Sequence, residues 1–149
     1  MMAYSESTED YLEAILRLGE GLPVVRQVDV AGFMGFSKAS VCKAVPRLAR
    51  EGLVECGRHG ALVLTPSGRA VAERVYERHR FFSGLLERLG VDEETAQADA
   101  CRMEHALSEE SFAALRRMVE GAGSEGSGGR PAALLRERGG GGVARHAAK

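Results

Sequence analysis

Residues 22–54 read LPVVRQVDVAGFMGFSKASVCKAVPRLAREGLV, and their reading decides the fold. A short amphipathic run from about Gln27 to Met34 is broken by Gly35. Ser37 then offers a hydroxyl cap, and a second helix is predicted to about Glu51, closed by Gly52. At 100° per residue, Val41, Val45 and Leu48 fall within about 60° of one another. Ser40, Lys43, Arg47 and Arg50 lie on nearly the opposite side. One face can pack on the preceding helix while the other offers hydroxyls and cations, the layout of a recognition helix in a major groove. Taken alone, the same pattern also describes an amphipathic helix with a solvated basic face. Pro46 breaks a local rule: it removes one backbone bond and costs roughly 3 kcal/mol, which predicts a kink or an early end.

The next stretch of chain strengthens the case for DNA binding. Leu53–Cys56 and Ala61–Leu64 are strand-like runs around GRHG, a hairpin whose tip carries Arg58 and His59. Helix, turn, helix and hairpin in that order make a winged helix–turn–helix. Upstream, SESTEDYLEAILRLGEG predicts a helix capped by Ser5 or Ser7, with Tyr11, Leu12, Ile15 and Leu18 on its apolar face. Downstream, Thr65-Pro66 opens a long helix to about Leu89. Asp92 caps another to about Leu107, and Ser108 caps a last one from Glu109 to about Glu120.

The bulk properties fit a mostly α, soluble chain. It has 149 residues, 44% hydrophobic and 28% charged. No apolar run approaches the ~20 residues of a membrane span, and the N-terminus shows no signal-peptide pattern, so no membrane partner and a cytoplasmic location are expected. The three cysteines are widely spaced, which predicts free thiols rather than a disulfide framework. The net charge of −1 hides an asymmetry: residues 26–80 carry ten basic and five acidic groups, residues 81–120 four and nine. A basic middle beside an acidic segment suggests that one face meets an anion. After Gly121 the chain turns glycine-rich and basic, which predicts a flexible tail in which Arg130, Arg136, Arg138 and Arg145 add non-specific DNA affinity.

A second constellation lies in DACRMEHALS, residues 99–108. On a helix, Ala96, Ala100, Met103 and Leu107 form a core stripe, and Cys101, Glu104 and His105 cluster beside it. Thiolate, carboxylate and imidazole all bind divalent transition metals. One helix rarely completes a coordination sphere, so His79 on the long helix and Asp10 and Glu13, at i and i+3 on the first, are the further candidates. Each has a plainer role open to it. Asp10 suits the helix dipole, His79 a core edge, and Glu104 an ion pair with Arg102.

The stretches TEDYLEAI, VRQVDVAGFMGFSKASV, LVLTPSGRAVAERVYERH and LGVDEETAQADACRMEHALS together resemble the diphtheria-toxin-repressor and manganese-regulator family of metal-dependent transcriptional regulators. The resemblance covers about residues 4–120 and is nearer the short branch, which lacks the SH3-like domain of longer members. It implies a winged-helix domain over 1–70, an all-helical metal-binding and dimerisation domain over 71–121, and the tail over 122–149. Carried over by position, the manganese-type site matches Asp10, Glu13, His79, Glu104 and His105. Cys101 stands where that branch has glutamate. The iron-type branch has this cysteine but a methionine at the position of Asp10, so the site is a hybrid. The iron branch's second site loses two ligands here, because Ser83 and Gln97 occupy their positions.

The resemblance implies a homodimer on double-stranded operator DNA, activated when a metal fixes the angle between the two halves. Arg26, Ser37, Lys38, Ala39, Ser40, Lys43, Arg47 and Arg58 are the expected DNA contacts. A softer thiolate at Cys101 favours Fe²⁺, with Mn²⁺ next and Zn²⁺ or Co²⁺ binding in vitro. Two other readings stay open at this point. One is a winged-helix DNA-binding protein whose cluster is purely structural. The other is a small metallohydrolase, for which the sequence shows no general base beyond the ligands.

Overall fold

The computed structural model describes residues 4–124. Six helices and one hairpin run in order: α1 (Glu6–Gly21), α2 (Gln27–Met34), α3 (Lys38–Arg50), β1 (Val54–Cys56), β2 (Leu62–Leu64), α4 (Pro66–Arg88), α5 (Glu93–Met103) and α6 (Glu109–Ser124). Of the two candidate caps of α1, Ser5 serves: its Oγ accepts from the Thr8 amide at 3.3 Å. Gly35 adopts φ 67°, a left-handed conformation that costs a side chain strain, and so turns α2 into α3. Ser37 caps α3 through the Ser40 amide at 3.1 Å.

Of the two outcomes expected of Pro46, an early end does not occur: the helix runs from Lys38 to Arg50. Pro46 and Cys42, whose carbonyl loses its donor, are both exposed, and water can serve that carbonyl. Val45 and Leu48, on either side of the proline, are buried and hold the helix to the core.

The wing is an antiparallel pair in which Val54 faces Leu64 and Cys56 faces Leu62. Its tip is a single 3₁₀ turn over Arg58–Gly60, with His59 at φ 58°. The Leu62 amide donates to the Val25 carbonyl at 2.8 Å, and Arg26 bridges Ala61, so the strand-like entry to α2 lies beside the wing. Gly68 lets the first turn of α4 approach this unit closely. A Cβ there would stand 1.9 Å from the Leu53 carbonyl oxygen.

Two cores result. The first joins α1, α2, α3 and the wing around Leu12, Val30, Val41, Leu48, Leu53 and Leu62. The second gathers Phe82, Ala100 and Phe112, with Phe81, Met103, Leu107 and Leu115 against them. Helix α4 contributes to both: Val71, Ala72 and Val75 enter the first, Phe82 the second. Each large apolar side chain so buried contributes roughly 1.5–3 kcal/mol. One long helix therefore ties the two units, and side chains between Val75 and Phe82 stand at their junction.

Two helix ends differ from the sequence expectation. Helix α5 stops at Met103 rather than near Leu107. The cause is Arg78, whose guanidinium donates to the Glu104 carbonyl at 3.0 Å and the Leu107 carbonyl at 2.6 Å. Those terminal carbonyls are satisfied by a side chain instead of by further helix. Helix α6 runs to Ser124, past the expected end near Glu120 and into the stretch read as tail. The remainder of that predicted tail, with its four arginines, lies outside the described residues.

Candidate functional site

The junction of the two cores holds the acidic and imidazole side chains singled out in the sequence. Arg78 fixes the segment after α5, so Glu104 and His105 face α1 and α4. The Glu104 amide still donates to the Ala100 carbonyl at 3.0 Å, which keeps Glu104 on the last helical turn and drives its carboxylate inward. Glu104 is 1% exposed, not at the flank of the buried face. Its expected partner Arg102 pairs with Asp99 instead. His79 is 2% exposed and Glu13 is buried, while Asp10 and His105 are half-buried. Cys101 lies at the solvent edge.

Two histidines organise the contacts. His79 Nδ1 lies 2.9 Å from Glu104 Oε2 and 3.6 Å from Cys101 Sγ, and its Nε2 lies 2.7 Å from Gln97 Oε1. His105 Nε2 lies 2.8 Å from Asp10 Oδ1, and its Nδ1 lies 2.8 Å from Glu9 Oε2. These contacts make two groups of potential metal-binding atoms, each within a span of 4.8 Å: His79, Cys101 and Glu104, then Asp10, Glu104 and His105. Glu104 belongs to both. Glu13 belongs to neither; its Oε1 accepts from Arg17 Nη1 at 3.2 Å. Arg17 is itself held over the rings of Phe33 and Tyr76.

The electrostatics are those of an acidic pocket neutralised by protons. Bonds to Cys101 and to the Glu104 carboxylate push His79 up to about 10. Burial opposes charge on His105, but the adjoining carboxylates of Asp10, Glu104 and Glu9 outweigh it and carry the imidazole up to about 12. Both rings are therefore imidazolium at neutral pH. Burial and the neighbouring Glu104 carboxylate raise Glu13 to about 7. Burial would raise Glu104 as well, yet the two imidazolium groups hold it below the ordinary carboxylate range.

Does a cation fit? Glu104 Oε1 is buried and has no hydrogen-bond partner. It belongs to the group that also holds Asp10 and His105. That oxygen lies beside the Asp10 carboxylate and 3.2 Å from His105 Nε2 in an ion pair, a donor set now held by protons, and these residue types bind divalent transition metals once the imidazole sheds its proton. The donors present fit such an ion.

The cationic face belongs to α3, the wing and the entry to α2. Lys38, Ala39, Ser40 and Lys43 are exposed along α3, Ser37 at its cap, Arg26 before α2, and Arg58 at the wing tip. The Ser37 and Ser40 hydroxyls lie 2.9 Å apart. Arg47 departs from the helical-wheel expectation: it is half-buried, its charge is felt by Tyr11 of α1, and its buried Nε has no hydrogen-bond partner. Sequence reasoning missed Glu9, the carboxylate on His105, and did not connect Gln97 with His79. Glu9 adjoins Asp10 in TED, but helical spacing alone does not bring it to a residue ninety-six positions away.

Comparison with known proteins identifies the family. Residues 3–62 match the family model described as iron dependent repressor, N-terminal DNA binding domain. Residues 65–125 match that of the iron dependent repressor, metal binding and dimerisation domain. The chain is 38% identical over 120 residues to the transcriptional regulator MntR of Escherichia coli O6:H1, covering 80% of this chain and 77% of that one. It is 36% identical over 116 residues to the diphtheria toxin repressor of Corynebacterium efficiens, covering 77% of this chain and 49% of that one. A solved manganese-dependent transcriptional repressor in complex with manganese superposes with a TM-score of 0.68 at 30% identity, over 76% of this chain and 52% of the other. The chain thus spans about half the length of the longer relatives. Two consecutive domain models, a shared fold and these identities mean that the chain belongs to the iron-dependent repressor family of metal-dependent transcriptional regulators.

Proposed function

We propose that the protein is a homodimeric repressor that binds operator DNA through α3 and the wing when a divalent cation occupies the junction between its two cores. The observation that carries the reading is the convergence of Asp10 of α1 with Glu104 and His105 of the segment after α5, where the buried Glu104 Oε1 makes no hydrogen bond and stands 3.2 Å from His105 Nε2. Asp10 and Glu13 belong to the helix that packs on the DNA-facing unit; His79, Cys101, Glu104 and His105 belong to the other side. A divalent ion there would take the place of the protons that the two imidazolium groups hold against these carboxylates. Side chains that converge on one ion hold α1 against the second unit and so restrict where α3 can point. Two recognition helices of a dimer must lie about one DNA turn apart, so restricting that angle selects the DNA-competent arrangement.

Among metals, the reading favours Fe²⁺ over Mn²⁺. Cys101 is solvent-accessible and its sulfur adjoins His79 and Glu104, which adds a soft donor to an otherwise oxygen-rich set. Titrating the protein into labelled operator-length DNA tests the whole reading. Retardation that requires Fe²⁺ or Mn²⁺ and is abolished by chelator supports it. Retardation that ignores chelator means the cluster is only structural.

A further inference from the structure

Gln97 stands where the iron-type branch has a histidine, and the metal reading above leaves it without a role. Its Oε1 lies 2.7 Å from Nε2 of His79, so it accepts the Nε2–H hydrogen bond. The other nitrogen, Nδ1, faces Glu104 Oε2 and Cys101 Sγ, the two remaining members of its group. His105 is arranged in the opposite sense. Its Nδ1 lies 2.8 Å from Glu9 Oε2, while Nε2 faces Asp10 Oδ1 at 2.8 Å and Glu104 Oε1 at 3.2 Å. Glu9 is in turn held by Arg74 of α4, Nη2 to Oε1 at 2.9 Å. Glu9 belongs to neither group of potential metal-binding atoms.

We propose that Gln97 and Glu9 are positioning residues that dedicate one nitrogen of each histidine to the metal, Nδ1 of His79 and Nε2 of His105. A ligating imidazole keeps its proton on the nitrogen that does not bind. A fixed acceptor at that nitrogen sets both the tautomer and the ring plane, and losing such a partner typically weakens metal binding 10- to 100-fold. The two rings need separate partners because they approach the junction from different elements. His79 comes from the middle of α4, and its outward nitrogen meets α5. His105 comes from the turn after α5, and its outward nitrogen meets α1. Sequence adjacency hides this division, because Glu104 and His105 look like one motif while their rings and carboxylates are anchored by different helices.

The inference rests on the metal reading, and one set of measurements separates the two. Zn²⁺ serves as a diamagnetic probe. In the full-length Zn²⁺-loaded protein, long-range ¹H–¹⁵N spectra of the histidine rings report which nitrogen carries metal and which carries hydrogen. The expected pattern is metal on Nδ1 of His79 and on Nε2 of His105. Zn²⁺ affinity, read by competition with a chromogenic chelator, should fall 10- to 100-fold in Gln97→Leu and in Glu9→Leu. Gln97→Glu and Glu9→Gln, which keep an acceptor oxygen, should remain close to the parent. Metal on the opposite nitrogen of either ring in the parent overturns the inference and leaves the metal reading standing, as does undiminished affinity in both leucine variants. Failure of the parent to take up Zn²⁺, Fe²⁺ or Mn²⁺ overturns both.

Discussion

Glu104 Oε1 stands 3.2 Å from Nε2 of His105 yet makes no hydrogen bond, while its twin Oε2 is bound to His79 at 2.9 Å. One carboxylate thus touches both histidines and belongs to both groups of donors. Replacing it should cost more than replacing any other single member. Glu104→Gln keeps the volume and removes the charge that both imidazolium groups answer. Isothermal titration should show the loss of high-affinity Mn²⁺ and Fe²⁺ binding, a drop well beyond the 10- to 100-fold expected for an outer partner. Near-parental affinity in Glu104→Gln would show that the two groups do not depend on this carboxylate.

The Glu13 carboxyl makes the metal-free fold sensitive to pH. Its pKa stands near 7 in the folded protein against an ordinary value of 4.5. A raised carboxyl binds more protons folded than unfolded between those values. Its contribution to stability is therefore complete below about pH 4.5, falls as pH rises, and is exhausted above about pH 7. Glu13→Gln removes this fall. In chemical denaturation of the metal-free protein at pH 8, the variant should be more stable than the parent by about 1–3 kcal/mol, with no such gain at pH 4.5. An equal gain at both pH values would trace the effect to packing instead.

Cys101 decides between metals. If its sulfur ligates, the Co²⁺-loaded parent should show a thiolate-to-metal charge-transfer band, and both Cys101→Ser and Cys101→Glu should lack it. Cys101→Glu restores a hard oxygen donor and should move the activation preference towards Mn²⁺. The thiol sheds a proton on binding, so metal affinity in the parent should also rise more steeply with pH than in Cys101→Glu. An unchanged spectrum and an unchanged metal ranking would make Cys101 a bystander at the solvent edge.

Much of this was legible in the sequence because it is local. The Ser37 cap, the Gly35 turn, the Thr65-Pro66 start and the apolar stripe of α3 are set by neighbours in the chain, and each is present. The early end of α5 was not legible, because it depends on Arg78, a residue 26 positions before Glu104. Arg47 shows the same limit: the helical wheel places it on the exposed face, but in the fold it is half-buried and its charge reaches Tyr11 of α1. Glu9 and Gln97 escaped because each acts on a histidine through a contact between helices. The candidate ligands were found as residue types; which atoms meet was a property of the fold.

Gly68 should be irreplaceable for a backbone reason. Alanine there would drive its Cβ to 1.9 Å from the Leu53 carbonyl oxygen and 2.8 Å from the carbonyl carbon, neither of which is a flexible side-chain tip. The first turn of α4 would have to lift from the wing, straining the Thr65 Oγ1 bond to the Gly52 carbonyl at 2.6 Å. Such overpacking costs typically 1–3 kcal/mol and sometimes more. Gly68→Ala should lower the thermal midpoint by several degrees. Gly84→Ala, where a Cβ meets nothing within 4 Å, is the matched control and should leave it near the parent.

Lys43 and Arg47 should separate in the salt dependence of DNA binding. Both were expected on the DNA face of α3, but Lys43 is exposed and Arg47 is half-buried, its charge felt by Tyr11 of α1. A phosphate contact releases counterions and adds about one unit to the slope of log affinity against log salt. Lys43→Ala should therefore weaken binding to specific and unrelated DNA alike and flatten that slope by about one. Arg47→Ala should change the slope less and lower the thermal midpoint more, because the residue is half-buried with its Nε out of solvent. Fluorescence anisotropy across a salt series, with the metal saturating, measures both. A full unit of slope lost in Arg47→Ala at unchanged stability would show that its guanidinium swings out to the phosphate on binding. A change of base preference in Lys43→Ala with the slope intact would move Lys43 from the backbone to a base edge.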